Sequence, residues 1–141
     1  GDEITVVGPH GHFLFNEDSN RPQLYLAYGT GFAPIKSLIE HAMALEIPAT
    51  MDLFWAVDRK EDLYTNNLCR SWGDALENFN YHPVIKQDAV EKLLEQLLAQ
   101  QRKLEEVDVY IAGPKNTVEH AGERLLAAGL PNEQLIATVI N

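Results

Sequence analysis

The sequence predicts an α/β fold of the Rossmann-like, three-layer αβα type with a parallel sheet of about five strands. Two observations support this prediction. Apolar runs typical of strands alternate with segments of helical periodicity from residue 23 to the end of the chain. Several of these runs also end directly in a glycine turn or an acidic residue. Alternation of this kind is typical of a parallel sheet covered by helices on both faces.

The composition fits one globular domain and excludes some classes of partner. The chain has 141 residues, 45% of them hydrophobic, and a net charge of −10 from 21 acidic and 11 basic residues. An acidic chain lacks the basic surface that nucleic acids and anionic membranes require. One cysteine, Cys69, excludes an internal disulfide and suits a reducing compartment. No apolar run approaches the ~20 residues of a membrane span, so the cytoplasm is the expected location.

The first 22 residues differ in pattern from the rest. Residues 2–8 and 13–15 read as short extended pieces, and the polar segment 16–22 reads as a linker. We therefore place a domain boundary between residues 21 and 22. Because the chain begins with Gly1 rather than Met, we expect it to be part of a longer protein.

The predicted elements follow in alternating order. We expect strands at residues 23–28, 50–57, 79–85, 107–112 and 134–140, and helices at 32–46, 63–77, 88–104 and after Pro114. Pro83 predicts an edge position for the third of these strands, or the end of that strand, because proline cannot donate to the ladder. Residues 90, 93, 94, 97, 98 and 104 form one apolar stripe on the third helix. Asn116 and Glu119 resemble a capping box that begins the last helix.

The first strand runs directly into Gly29-Thr30-Gly31 and then into a helix that carries Pro34 in its first turn. A strand, a glycine turn and a helix N-terminus in succession bring backbone N–H groups and a positive helix end to one point, which favours a phosphate or another anion. A tight connection without a ligand remains the alternative, since short glycine turns are weak motifs.

Three strand ends should meet at one edge of the sheet: the glycine turn, Val57-Asp58 and Gly113-Pro114. Ligands of open parallel sheets bind at the carboxyl ends of the strands. Asp58 could accept a hydrogen bond from a ribose hydroxyl, or it could merely cap the next helix. Trp55 and Phe54 fit the core better than a cofactor stack. Tyr28 could pack on a ligand or on the sheet edge.

The sequence offers no persuasive catalytic or metal site. His10 and His12 are too few ligands for a metal, and we predict none. Cys69 lies in a predicted helical stretch, and we interpret it as an inert packing residue, because a reactive thiolate needs an electropositive neighbourhood. No nucleophile–base arrangement stands out either.

Four motifs in order resemble the ferredoxin–NAD(P) reductase-type flavoproteins, especially the NADH-dependent reductases of oxygenases and the CDP-6-deoxyglucoseen reductase type. They are Gly8-Pro9-His10-Gly11-His12-Phe13, Gly29-Thr30-Gly31-Phe32-Ala33-Pro34, Trp55 through Glu61-Asp62-Leu63-Tyr64, and Tyr110-Ile111-Ala112-Gly113-Pro114. The resemblance implies that residues 22–141 form an NAD(P)-binding domain. It also implies that residues 1–21 are a short β remnant of a FAD-binding barrel with its linker.

The resemblance implies cofactor-binding roles at ten positions and no catalytic side chain. Gly29, Thr30 and Gly31 would cradle the pyrophosphate and ribose. Ala56 and Asp58 would line the adenosine side, and Gly113-Pro114 would form the wall beside the nicotinamide. The implied set is Gly29, Thr30, Gly31, Phe32, Pro34, Ala56, Asp58, Ala112, Gly113 and Pro114. NADH is the expected cofactor because Asp58 would repel a 2′-phosphate. FAD and an iron–sulfur domain or protein would belong to the complete molecule, since the cofactors carry the redox chemistry.

The chain departs from the family pattern in three places. Ala112 stands where the family often has cysteine, and Asp58 stands where it commonly has arginine. A leucine-rich helix replaces the family's Trp-x-Gly-like segment before the fourth strand. These departures leave open a structural or regulatory domain that has lost nucleotide turnover. A flavodoxin-like module is a weaker alternative, because only Thr30 fits its phosphate loop.

Overall fold

The computed structural model describes the backbone of residues 6–7 and the whole of residues 19–140. The predicted extended pieces at 2–8 and 13–15, and both N-terminal histidines, lie outside the described residues except at 6–7. Six strands form within the described residues: β1 Val6–Val7, β2 Gln23–Tyr28, β3 Met51–Val57, β4 Phe79–Ile85, β5 Asp108–Gly113 and β6 Leu135–Val139. The helices are α1 Phe32–Ala44, α2 Asn66–Ala75, α3 Ala89–Ala99 and α4 Lys115–Ala127.

All six strands form one parallel sheet in the order β1-β6-β5-β2-β3-β4. The predicted α/β class is confirmed. The five predicted strands are present, and residues 6–7 add a sixth, which pairs with β6. The expected edge position of Pro83 is also confirmed, because β4 closes the sheet on one side. Strand order reverses between β2 and β5, the place where ligands of such sheets bind.

Helices cover both faces of the sheet. On one face, α1 and α2 bury Ile35, Ile39 and Cys69 against Trp55 and other strand side chains. On the opposite face, α3 and α4 bury a second apolar cluster that includes residues 93 and 125. The central strands β2 and β3 are buried along their whole length. This two-sided burial explains why their sequences read as continuous apolar runs rather than alternating patterns.

The third helix is shorter than predicted. It ends at Ala99, because Gln101 adopts a left-handed backbone with φ +57°. Leu104 enters the core from a separate 3-10 turn at Leu104–Glu106. Leu98 does not belong to the buried stripe, since it is 79% exposed. An apolar pattern does not reveal where a left-handed residue stops a helix.

Two predicted helix starts also require correction. The last helix begins at Lys115 with Pro114 as its cap, so Asn116 lies inside the first turn and does not cap it. The second helix begins at Asn66 rather than near 63, because a 3-10 turn at Lys60–Asp62 precedes it. Pro34 lies in the first turn of α1, as predicted, although the helix itself begins at Phe32.

A buried carboxylate lies beneath the face covered by α3. Asp52 has a side chain only 1% exposed, and its Oδ1 is 2.9 Å from Nε2 of His82 on the neighbouring strand. The other oxygen, Oδ2, has no hydrogen-bond partner among the described residues. The imidazole also stacks on Phe54 with a centroid distance of 4.5 Å. His82 is therefore half-buried, as expected, and is the polar partner of Asp52.

Candidate functional site

The three predicted strand ends meet around one cavity of about 480 Å³. Gly29 and Thr30 follow β2, Val57 and Asp58 end and follow β3, and Pro114 follows β5. The predicted convergence at the carboxyl edge is thus confirmed as geometry. The cavity lies where strand order reverses, and the glycine turn forms one of its walls.

Gly29 adopts a backbone conformation that few other residues tolerate. Its φ is +57°, and a Cβ at this position would meet no atom within 4 Å, so backbone strain rather than space favours glycine. The turn Gly29–Gly31 is a single 3-10 turn that leads directly into α1. The indole Nε1 of Trp55 donates to the carbonyl oxygen of Gly29 at 3.0 Å and fixes this peptide.

Gly31 is glycine for a different reason, namely close approach to β5. A Cβ on Gly31 would lie 2.2 Å from the carbonyl oxygen of Ala112 and 2.9 Å from the backbone nitrogen of Gly113. The turn therefore packs backbone to backbone against the end of β5. Because α1 begins at the next residue, this contact fixes where the helix N-terminus stands relative to the cavity.

Stacked aromatic rings pack next to the glycine turn. Phe32 stacks on Trp55 at a centroid distance of 4.2 Å, and both rings are buried. Tyr64 packs edge-on against Trp55 at 5.0 Å, yet it is 57% exposed and lines the cavity. The expectation that Trp55 and Phe54 belong to the core is confirmed. The cavity wall thus carries an exposed tyrosine that buried rings hold in place.

The cavity is acidic at its rim, with a single lysine. Asp58, Glu61 and Asp62 line it together with Lys86. Asp58 is exposed and forms no hydrogen bond or ion pair with any residue of the described part. The capping alternative for Asp58 is wrong, because Arg59 precedes the next turn and its N–H donates to Asp62 at 3.3 Å. Asp58 therefore keeps its full capacity to accept hydrogen bonds from a ligand.

Positive charge also comes from the peptide backbone. Both α1 and α4 have 13 residues, and both begin at this carboxyl edge, after Gly31 and Pro114. The first N–H groups of a helix lack partners within the helix and carry a partial positive charge. The positive ends of both helices therefore lie at the same edge of the sheet as Lys86 and the acidic rim.

A second cavity, of about 410 Å³, adjoins the first on the face covered by α3 and α4. The two cavities share Tyr28, Asp58 and Lys86, and the second adds His120 and Arg124 of α4 to the lining. Burial raises the pKa of the Tyr28 hydroxyl, and the positive charge of Arg124 opposes this shift. Tyr28 ends β2 at this carboxyl edge, where it is 4% exposed and packs against Gly113 at the end of β5, so its contact with a ligand stays a prediction.

The structure separates the ten implied site residues into two groups. Five reach the surface of the first cavity: Gly29, Thr30, Ala56, Asp58 and Pro114. The other five are not part of its lining: Gly31, Phe32, Ala112 and Gly113 are buried, and Pro34 is half-buried in the first turn of α1. Their contact with a cofactor stays a prediction.

Sequence reasoning did not assign roles to Lys86, Glu61 or Tyr64, which also line the cavity. A signal for Lys86 was present, because it directly follows β4 and parallel strands end at one edge. Glu61 and Tyr64 lie in a motif of the resemblance. Their position on the wall depends on the 3-10 turn before α2, which the sequence did not reveal.

Cys69 is buried, and burial raises the pKa of its thiol to about 12, so it stays protonated near neutral pH. Its interpretation as an inert packing residue is confirmed. Within residues 19–140, no group of three or more potential metal-ligating side chains could hold an ion. No helix in that range is long and apolar enough to cross a membrane.

Residues 25–123 match the family model of the oxidoreductase NAD-binding domain. One curated relative is an NAD(P)H-flavin reductase of Aliivibrio fischeri, 30% identical over 118 residues, covering 80% of this chain and 50% of the relative. Another is CDP-6-deoxy-L-threo-D-glycero-4-hexulose-3-dehydrase reductase of Yersinia pestis. It is 32% identical over 85 residues, which cover 60% of this chain and 25% of the relative. The chain thus spans a quarter to a half of these relatives.

Solved structures show the same fold. The crystal structure of the Amycolatopsis cytochrome P450 reductase GcoB superimposes with a TM-score of 0.78 at 17% identity. The superposition covers 92% of this chain and 42% of that chain. At this identity the likeness shows the fold alone. Together with the family match, it confirms the resemblance drawn from the four motifs.

Proposed function

This chain belongs to the family of oxidoreductase NAD-binding domains, and we propose that it serves a flavin-dependent reductase by binding NADH in the cavity beside the glycine turn. One observation carries this proposal. The glycine turn, Asp58 and Pro114 converge at the reversal of strand order, between two helix N-termini. That arrangement suits a ligand with an anionic centre and a ribose on its flank.

Each wall of the cavity suits one part of the dinucleotide. The turn at Gly29 and Thr30, with the N-terminus of α1, would receive the pyrophosphate. Ala56 and Asp58 would flank the adenosine ribose, and the exposed ring of Tyr64 offers a surface on which the adenine could stack. Pro114 and the N-terminus of α4 would lie beside the nicotinamide. The buried residues behind the wall would hold these groups in place.

The acidic rim supports a preference for NADH over NADPH. Asp58, Glu61 and Asp62 line the same cavity, and a 2′-phosphate placed beside them would meet negative charge. A ribose 2′-hydroxyl can instead donate to Asp58, which has no partner among the described residues. Lys86 is the opposing charge, because it could attract a 2′-phosphate. We propose that the three carboxylates outweigh it.

In the complete reductase, we propose that hydride passes from NADH to FAD and that electrons then leave for an iron–sulfur centre or partner protein. This chain needs no acid or base for that step, because the cofactors carry the chemistry and the protein orients them. Ala112 is fully buried and places no polar side chain beside the nicotinamide wall. Its contribution is therefore packing against Gly31.

The division of the chain and its location are also proposals. We assign residues 22–141 to the nucleotide domain and residues 1–21 to the end of a flavin barrel with its linker, as the motif order supports. The single cysteine and the acidic composition support the cytoplasm.

Calorimetric titration with NADH and NADPH tests the proposal. The wild-type chain should bind NADH more tightly than NADPH. Asp58→Ser should weaken NADH binding roughly tenfold, as the loss of a hydrogen bond to a charged group predicts, and should improve relative NADPH binding. Asp74→Ser is the matched control, since Asp74 is exposed on α2 and lines neither cavity of the proposed site. Unchanged discrimination in the Asp58 variant would refute the assigned preference.

A structural or regulatory domain without nucleotide turnover is the second candidate. Its support is Ala112, which stands where the resemblance implies a cysteine next to the nicotinamide. A folded chain that binds no NADH at millimolar concentration would favour this candidate. Saturable binding that is lost in Gly29→Val would favour the proposed site.

A further inference from the structure

Tyr28 occupies an unusual place at the centre of the proposed site. It is the last residue of β2, directly before the glycine turn, and it is 4% exposed. Both cavities at the carboxyl edge include it in their lining. A large aromatic side chain thus stands between the two cavities, at the strand that adjoins the reversal of strand order.

The neighbouring strand provides the space that this side chain occupies. Gly113 at the end of β5 has no Cβ, and a Cβ built there would lie 2.7 Å from Cβ and 3.4 Å from Cδ2 of Tyr28. Gly113 is thus required by contact with Tyr28 rather than by its own backbone conformation. The second Gly-Pro motif therefore fixes the position of the tyrosine as well as the wall of the cavity.

The hydroxyl of Tyr28 forms no hydrogen bond with any described residue, and it is not among the polar atoms that are shut off from solvent. Two other tyrosines have partners within the chain: the hydroxyl of the buried Tyr25 donates to Gln23, and that of the half-buried Tyr81 donates to Asn66 at 2.7 Å. A tyrosine whose ring is buried and whose hydroxyl reaches a cavity can donate to a bound ligand. Burial raises the pKa of the Tyr28 hydroxyl although the nearby charge of Arg124 opposes the shift, so the group stays protonated and can donate.

Two cationic side chains line the same space, together with the carboxylates of Asp58 and Glu91. Lys86 lines both cavities, and Arg124 lines the second, where it also pairs with Glu91. A hydroxyl donor placed near two cations suits an anionic oxygen better than a neutral one. The nearest anionic group of a dinucleotide held by the adjacent glycine turn is its pyrophosphate.

We propose that Tyr28 is a positioning residue of the dinucleotide site, whose ring separates the two cavities and whose hydroxyl donates a hydrogen bond to the pyrophosphate of the bound nucleotide. This inference rests on the proposed function. It adds a ligand contact from β2 itself to those of the glycine turn. It also gives a partner to a hydroxyl that has none within the described chain.

Two tyrosine-to-phenylalanine variants test the inference, with NADH, ADP and adenosine as probes in calorimetric titrations. Tyr28→Phe should raise the dissociation constants of NADH and ADP roughly tenfold and leave that of adenosine within about twofold of wild type. Its thermal midpoint should be unchanged, because no hydrogen bond within the protein is lost. Tyr25→Phe is the matched control. It loses a hydrogen bond to Gln23, so it should lower the thermal midpoint and leave all three dissociation constants unchanged.

The outcomes distinguish a failure of the Tyr28 assignment from a failure of the proposed function. If wild type binds NADH and ADP while Tyr28→Phe binds both as tightly, the Tyr28 assignment is overturned and the proposed function stands. An equal loss for adenosine would place the hydroxyl on the nucleoside and likewise overturn the assignment. If the folded wild-type chain binds neither NADH nor ADP, the proposed function fails and the role of Tyr28 fails with it.

Discussion

Replacing Gly31 with alanine tests whether the glycine turn really packs backbone to backbone on β5. The new methyl group would lie 2.2 Å from the carbonyl oxygen of Ala112, 2.5 Å from its carbonyl carbon and 2.9 Å from the nitrogen of Gly113. Since Cβ atoms essentially never approach closer than 3.0 Å, the turn and the end of β5 must move apart by about 0.8 Å. All three of these atoms belong to the backbone at the end of β5, so no side chain can rotate away.

The expected loss in the free energy of unfolding is large because none of the contacting atoms can rotate aside. Overpacking a well-packed site costs about 1–3 kcal/mol, and we expect the upper end because both sides of the contact are main chain. A loss of about 3 kcal/mol corresponds to a fall in the thermal midpoint of roughly 10 °C for a chain of this size. The displaced turn should also weaken NADH binding, because α1 begins at the next residue.

Urea and thermal unfolding of three glycine variants measure the effect. Gly29→Ala meets no atom within 4 Å but keeps φ at +57°, so it should cost about 1–2 kcal/mol from backbone strain alone. Gly73→Ala is the control within helix α2, where the nearest atom would be 4.0 Å away, and it should stabilise the chain by about 0.5–1 kcal/mol. If Gly31→Ala lay within about 1 kcal/mol of wild type, or cost less than Gly29→Ala, the close contact with β5 would be refuted.

Three further predictions concern the support of the site and the core. Trp55→Phe removes the hydrogen bond from the indole to the carbonyl oxygen of Gly29. We expect the free energy of unfolding to fall by at least about 1 kcal/mol and amide hydrogen exchange in the glycine turn to become faster. Unchanged exchange in the turn would contradict this role of Trp55. His82→Phe leaves the buried carboxylate of Asp52 without its partner and should cost about 1–3 kcal/mol in urea unfolding, part of which Asp52→Asn should restore in the double variant. Burial raises the pKa of the Cys69 thiol from 9.0 to about 12, so the unfolded chain releases this proton first and stability should fall as pH rises from 9.0 to about 12. Cys69→Ala should flatten that decline. An equally steep decline in the variant would contradict the assignment of the decline to the Cys69 thiol.

The confirmed elements are those whose sequence pattern expresses burial directly. Strand β2 was predicted at residues 23–28 and has these bounds, because a strand buried on both faces is apolar throughout. The edge position of β4 followed from Pro83, which lacks the N–H of a ladder donor. The wrong predictions include helix ends that a single backbone angle determines. The left-handed residue Gln101 ends α3, and no feature of the apolar stripe marks it.

The sequence by itself determined the order of strands and helices, and hence that the ends of β2, β3 and β5 would meet at one edge. Periodicity and glycine turns are local properties, so a single chain displays them without its neighbours. Only the tertiary structure decided what each glycine is for: Gly29 relieves backbone strain, Gly31 admits β5, and Gly113 makes room for Tyr28. The roles of Gly31 and Gly113 are contacts between residues far apart in the chain, whereas that of Gly29 is a single backbone angle. The distances of those contacts depend on the packing of the sheet, and sequence spacing carries no record of them.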